Sequence, residues 1–393
     1  MKRVYFDHNA TTPVAPEVLA AMLPYFSESY GNASSIHAYG QDARGAVERA
    51  RSSVAALLGA QAVEIMFSSG GTESNNQAIF GVLAGADAVG KHVITSAIEH
   101  DAVLDPCEEL DKRGVVVTVL PVDRDGLVNP EDVRRAIRPE TALITLMLAN
   151  NELGTIAPLI ANGEIGKIAG EHGIVFHTDA VQAAGKIPID VKRLGVHLLS
   201  ISAHKFYGPK GVGALYIRKG THLQPLLYGG HSERDRRPGT EDVAAIVGLG
   251  KAAELAMAHM EKETARISAL RDRLENGLLE RISQSWVNGA RASRTPNTTN
   301  MTFPYVEGEA MVIALDLKGI ACSTGAACSS GAVEPSHVLL AIGLPPEDAR
   351  ATLRLSLGRQ TTDAEIDFAL ETIPAVIERL RLLSPTYKKP INA

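Results

Sequence analysis

Seven short apolar runs punctuate residues 60 to 220, and each is followed by polar or glycine-rich residues. They are EIMFSSG (Glu64 to Gly70), HVITSAIEH (His92 to His100), VVVTVLPVD (Val115 to Asp123), ALITLMLAN (Ala142 to Asn150), IVFHTDA (Ile174 to Ala180), HLLSISAHK (His197 to Lys205) and GVGALYIR (Gly211 to Arg218). Several are apolar at nearly every position, as strands covered on both faces are. Helical patterns lie between them, at Ala102 to Arg113, Pro130 to Ile137 and Ile165 to His172. This alternation predicts a mostly parallel sheet with helices on both sides. From about Thr240 to Ile282 the pattern turns helical, with Ile267, Leu270, Leu274, Leu278 and Ile282 at helix spacing. The stretch exceeds ordinary helix length, which predicts two helices or one with a break. Beyond it, NTTNMTFP (Asn297 to Pro304), a helix from Gly308 to Leu317, TLRLSLG (Thr352 to Gly358) and a helix from Asp363 to Leu383 predict a smaller α+β unit.

A chain of 393 residues is long for one domain, so two are expected, with the boundary near residue 260. The hydrophobic fraction of 45% suits an ordinary α/β protein. A net charge of −6, with both signs mixed along the chain, argues against a nucleic-acid binder. Three cysteines make no disulfide framework and point to a reducing, cytoplasmic setting. The N-terminus MKRVYFDHNATTP does not read as a signal peptide. No uninterrupted apolar run approaches the ~20 residues of a membrane span.

In parallel α/β sheets ligands bind beyond the carboxyl ends of the strands. Those ends carry SSGGTESNN (Ser68 to Asn76), Glu99 and His100, NNELGT (Asn150 to Thr155), Asp179 with Gln182, and SAHK (Ser202 to Lys205). Each has a plainer reading alone: a solvated charge for Lys205, a helix cap for Asp179, a core histidine for His100. Their convergence on one rim is more informative than any one of them alone. A lysine at a buried rim loses its proton readily and becomes a nucleophilic amine, as a Schiff base with pyridoxal phosphate requires. Asp179 can hold a proton on a pyridine nitrogen. The glycine pair before Thr72 frees backbone N–H groups at a helix N-terminus, where a phosphate is welcome. No Walker A loop, dinucleotide fingerprint, HExxH or paired CxxC is present, so no metal is assigned.

One stretch does not fit a structural part. GIACSTGAACSSG (Gly319 to Gly331) places Cys322 and Cys328 among small and polar residues, so it reads as a pliant loop bearing a thiol.

Nine segments appear in order: DHNATTP (Asp7 to Pro13), GNASSIH (Gly31 to His37), SSGGTESNN, ANNELGT, HTDAVQAAGKIPID, SAHKFYGPKGVGALY, RRPGTED (Arg236 to Asp242), CSTGAACSS and LRLSLGR (Leu353 to Arg359). Together they resemble the cysteine desulfurases of the NifS/IscS type, pyridoxal-phosphate enzymes of the class V aminotransferase superfamily. The resemblance covers nearly the whole chain. It implies the type I fold of such transferases, with a large domain (15–260) and a small one (1–14 and 261–393) whose mobile loop, about 321–333, carries the catalytic cysteine. Lys205 would anchor the cofactor, His100 would stack on its ring and move protons, Asp179 would pair with the ring nitrogen and Gln182 with the ring oxygen. Gly71, Thr72, Ser202 and His204 would hold the phosphate, and Thr240 would reach the phosphate in the other subunit of a homodimer. Asn151 and Arg354 would hold the carboxylate of L-cysteine, and Cys328 would take its sulfur as a persulfide for an acceptor such as an iron–sulfur scaffold protein. Cys322 is expected to be inert. GGHSERD (Gly229 to Asp235) stands where the family has GGGxERG, and STGAACSS where it has SSGSACTS. A selenocysteine lyase or an aminotransferase on the same scaffold is the alternative activity. A non-catalytic scaffold fits poorly, because Lys205, His100 and Cys328 are all present.

Overall fold

The computed structural model describes residues 3–84, 91–158, 162–324 and 335–387. Its main sheet has seven strands: β2 (Ile65–Ser68), β3 (His92–Ser96), β4 (Val116–Leu120), β5 (Thr141–Thr145), β6 (Val175–Asp179), β7 (Leu198–Ser202) and β8 (Gly213–Ile217), in the order β2-β8-β7-β6-β5-β3-β4. Only β8 runs against its neighbours, so the sheet is mixed but mostly parallel. Strands β2, β3, β7 and β8 are buried at every position, which explains their unbroken apolar runs. Helices α1 (Ala38–Leu58), α2 (Gly71–Leu83), α3 (Asp101–Lys112), α4 (Pro130–Ala136) and α5 (Glu164–His172) cover it. The seven expected strands are all present. They end earlier than the apolar runs, because the polar tails of those runs turn away into the loops of the rim.

Helix α6 spans Val243–Arg281 without a break, where two helices or a broken one had been expected. The reason is that it serves two cores. Its first half, rich in small residues such as Ala252 and Ala253, packs on α1 in a cluster with Phe67, Phe176 and Ile201. Its second half gives Ile267, Leu270, Leu274 and Leu278 to another cluster with Phe6, Phe303, Leu355 and Ile373. By length and hydropathy α6 could cross a membrane, although Lys251 and Glu254 interrupt its apolar half. More than half of that apolar window is already buried inside the protein, at 56%.

The second cluster is built on β10 (Thr298–Thr302), which pairs antiparallel with β12 (Thr352–Ser356) and β9 (Trp286–Val287). Helices α7 (Gly308–Asp316) and α8 (Asp363–Leu383) flank it. The N-terminal strand β1 (Val4–Tyr5) joins this region through β11 (Ile320–Ala321), and Asp7 bridges to Ser356. The chain therefore passes from this second core straight into Asn9 and Ala10, beneath the rim of the main sheet.

Candidate active site

At the carboxyl ends of β3, β5, β6 and β7, and at the N-terminus of α2, lies a cavity of about 250 Å³. Its lining includes Gly71, Thr72, His100, Asn151, Asp179, Gln182, Ser202, His204 and Lys205. Nine residues scattered over 135 positions of sequence thus meet around one space, because each follows or ends a strand of one mostly parallel sheet.

Lys205 ends a short 3-10 turn after β7. Its Nζ donates to the carbonyls of Asn9 (2.6 Å) and Ala10 (2.9 Å). Burial, reinforced by the Arg354 guanidinium, pulls its amine down to about 8, against the opposing pull of Asp179 and Asp7. Asp179 is buried at the end of β6. Its Oδ2 accepts from Asn75 Nδ2 at 2.6 Å and its Oδ1 from Val181 N at 2.8 Å. That neutral support holds the carboxylate in place without cancelling its charge. Gly71 opens α2 so close to Val181 that a Cβ would stand 2.7 Å from Val181 Cγ2, so only glycine lets the helix start at this wall. His100 caps α3, its Nδ1 accepting from Ala102 N at 3.0 Å. With Nδ1 occupied as an acceptor, Nε2 carries the proton of the neutral ring.

Arg354, on β12, reaches the same place from the second core. Its Nη1 donates to the Asn151 carbonyl (3.1 Å) and its Nη2 to Asp7 Oδ1 (2.8 Å). Among the described residues its Nε has no partner, and neither has Asn151 Oδ1 in the cavity wall. These two orphaned buried atoms are unusual in a folded protein and mark places for a ligand's polar groups.

Three expectations fall elsewhere. Thr240 is exposed and does not line this chain's cavity. Cys328 lies outside the described residues. Cys322 is buried in the second core, and burial pushes its thiol up to about 12, away from the thiolate form a nucleophile needs. Gln182 lines the cavity; its Nε2 gives one hydrogen to the Asn9 carbonyl (2.9 Å) and its Oε1 accepts from Lys186 Nζ (2.7 Å).

Asn9 and Lys186 were not expected among the site's neighbours, and Glu99, expected at the rim, proves to be turned inward. Glu99 is fully enclosed beside His100, and burial raises its carboxyl to about 8. Its Oε1 accepts from Ser96 Oγ (2.6 Å) and Met147 N (3.0 Å), tying the end of β3 to the loop after β5. Nothing in a stretch reading EH reveals that the first residue is a buried tie. Among the described residues no group of three acidic, histidine or cysteine side chains is placed to hold a metal ion.

Comparison with known proteins agrees with this geometry. The family model for class-V aminotransferases matches residues 4–368. The chain is 53% identical over 390 residues to a cysteine desulfurase IscS of Dictyoglomus turgidum (strain DSM 6724 / Z-1310), covering 99% of this chain and 98% of that one. A solved NifS-like protein superposes with a TM-score of 0.89 at 36% identity, covering 96% of this chain and 100% of that one. The structure of SspA in complex with cysteine does so with a TM-score of 0.80 at 40% identity, over 90% and 98%. The chain belongs to the class-V aminotransferase family and, over nearly its whole length, to the cysteine desulfurases within it.

Proposed function

We propose that this protein converts L-cysteine to L-alanine with pyridoxal phosphate as cofactor, leaving the sulfur as a persulfide on Cys328. The observation that carries this reading is the meeting of Lys205, Asp179 and the N-terminus of α2 around one cavity, with Arg354 bonded to the carbonyl of its wall residue Asn151. Their chemistry fits the cofactor and substrate. Lys205 offers an amine and Asp179 an acceptor for a protonated pyridine. Gly71, Thr72, Ser202 and His204 offer donors for a phosphate, and Asn151 Oδ1 is unsatisfied in the wall. When bound, pyridoxal phosphate supplies a carbonyl for the Lys205 amine and an electron sink for the substrate's Cα.

The chain's own residues do the rest. Arg354 presents its free Nε to the substrate carboxylate, a planar anion that suits a guanidinium. Lys205, freed once substrate is bound, accepts the Cα proton, and His100 moves protons through Nε2. The Cys328 thiolate attacks the substrate sulfur. The Cβ–S bond breaks as the S–S bond forms, and Cβ takes the electron pair and then a proton. Enzyme thiol and cysteine thus become enzyme persulfide and alanine, with no external oxidant. We place Thr240 toward the cavity of a second copy, as the resemblance implies. Delivery to an acceptor protein in the cytoplasm follows the same reading. A mass spectrum taken after incubation with L-cysteine tests it, since the peptide holding Cys328 should gain one sulfur atom.

Two further outcomes are expected. An amine held at about 8 is neutral in about a tenth of molecules at pH 7, against roughly one in three thousand for an ordinary lysine. Cofactor loading of the apoprotein, followed by visible absorbance, should therefore quicken between pH 7 and 9 and level off above. A rate still climbing nearly tenfold between pH 8 and pH 9 would mean an unperturbed lysine. Arg354→Gln removes a charged donor of the carboxylate and should raise KM for L-cysteine roughly 10–100-fold, with a smaller change in kcat. Steady-state kinetics read this directly.

A further inference from the structure

Asn9 is the most heavily used polar residue beside the cavity. Its backbone carbonyl accepts from Lys205 Nζ and Gln182 Nε2. Its Oδ1 accepts from Lys186 Nζ (3.1 Å) and Asn297 Nδ2 (2.9 Å). Its Nδ2 donates to the Asn151 carbonyl and to Thr298 Oγ1, and its N–H donates to Ser356 Oγ. Lys205, Gln182 and Asn151 are thereby bound through one residue to the strands of the second core.

Lys186 is the unusual member. Gly185, in the left-handed region at φ +73°, turns the chain so that Lys186 comes back one helical turn behind Gln182. Its Nζ meets two neutral amide oxygens, Gln182 Oε1 and Asn9 Oδ1, and no carboxylate within ion-pair distance among the described residues. It lines a cavity of about 40 Å³ behind Lys205, shared with His8, Glu263 and Arg359. Burial, together with the Lys205 and Arg354 cations, drives its amine well below the ordinary lysine range. Both groups within its reach are acceptors, so Nζ donates to each of them.

We infer that Lys186 is a positioning residue for the cofactor's ring oxygen: by donating to Gln182 Oε1 and Asn9 Oδ1 it holds the Gln182 amide with Nε2 toward the cavity. The backbone carbonyl of Asn9 can only accept, so it takes one Nε2 hydrogen and leaves the other for the cavity. The inference rests on the proposed role of Gln182, and the experiment separates the two.

The readout is the pH midpoint of the visible absorbance of the cofactor-loaded protein, measured without substrate. A donor to the ring oxygen stabilises the deprotonated form, so its loss raises the midpoint. Gln182→Met should raise it by about half a pH unit, the size of one ordinary hydrogen bond. Lys186→Met should raise it by a similar amount, and the double variant should go no further than either alone. Lys186→Gln, which keeps a donor at nearly the same reach, should return most of the way to wild type, and it also covers the case in which Lys186→Met does not fold. If Gln182→Met moves the midpoint while the folded Lys186 variants do not, or if the two shifts add, the positioning role is wrong and the role of Gln182 stands. If Gln182→Met leaves the midpoint in place, both fall. Thermal melting of the cofactor-free variants supplies the stability control.

Discussion

Cys328→Ser should load pyridoxal phosphate as the wild type does, yet gain no sulfur and release sulfide from L-cysteine at least ~10³-fold more slowly. A serine hydroxyl is not ionised at neutral pH and is a poor nucleophile toward sulfur, whereas a thiol supplies a thiolate whose fraction rises with any nearby positive charge. Cofactor absorbance checks that the cavity is intact, and mass spectrometry checks the sulfur. The internal control is Cys322, six positions away in sequence. It is buried against Phe6 and Leu355, with its thiol pushed to about 12. Cys322→Ala should transfer sulfur at close to the wild-type rate. If instead Cys322→Ala silenced the protein while Cys328→Ser did not, the roles would have to be exchanged and the mechanism rebuilt around a core thiol.

Lys205→Ala should lose at least ~10⁴ in turnover, because one substitution removes both the anchor of the cofactor and the base for the Cα proton. Two functions on one amine make the loss larger than a general base alone would give, which is 10²–10⁴ in typical cases. The groups proposed to hold the phosphate around Gly71 and the Asp179 carboxylate remain, so the variant should still take up cofactor weakly. Borohydride followed by peptide mass spectrometry should fix the cofactor to the wild-type chain at Lys205 and leave the variant unlabelled. Labelling of Lys186 in the variant would show that the second amine can replace the first. Full turnover without position 205 would refute the assignment of the anchor.

Much of this site is legible in the sequence, and for a stateable reason. The cavity collects the polar residues that follow buried strands, and a buried strand announces itself by an apolar run whatever its neighbours are. Lys205, Asp179 and His100 could therefore be found without knowing the strand order. Arg354 could be found only through a motif, since nothing in TLRLSLG says that β12, from a separate core, points its guanidinium at Asn151. Asn9 stood in a quoted segment yet had no role, because its importance lies in seven hydrogen bonds to residues up to 347 positions away. The long helix α6 was expected to break because a sequence window cannot show that its two halves serve different cores.

Local pattern by itself determined the kinds of element, their order, the mostly parallel sheet and the residue types at the rim. Burial on two faces and the turn after each strand are properties of neighbours in sequence. The tertiary structure alone decided which groups share a charge environment: a lysine amine at about 8, a second lysine behind Gln182 drawn well below its ordinary range, a carboxyl at about 8 beside His100, and one thiol pushed up to about 12 by its core. Desolvation and Coulomb forces act through space, so ionisation follows from which side chains the fold brings within a few ångströms, whatever their distance along the chain.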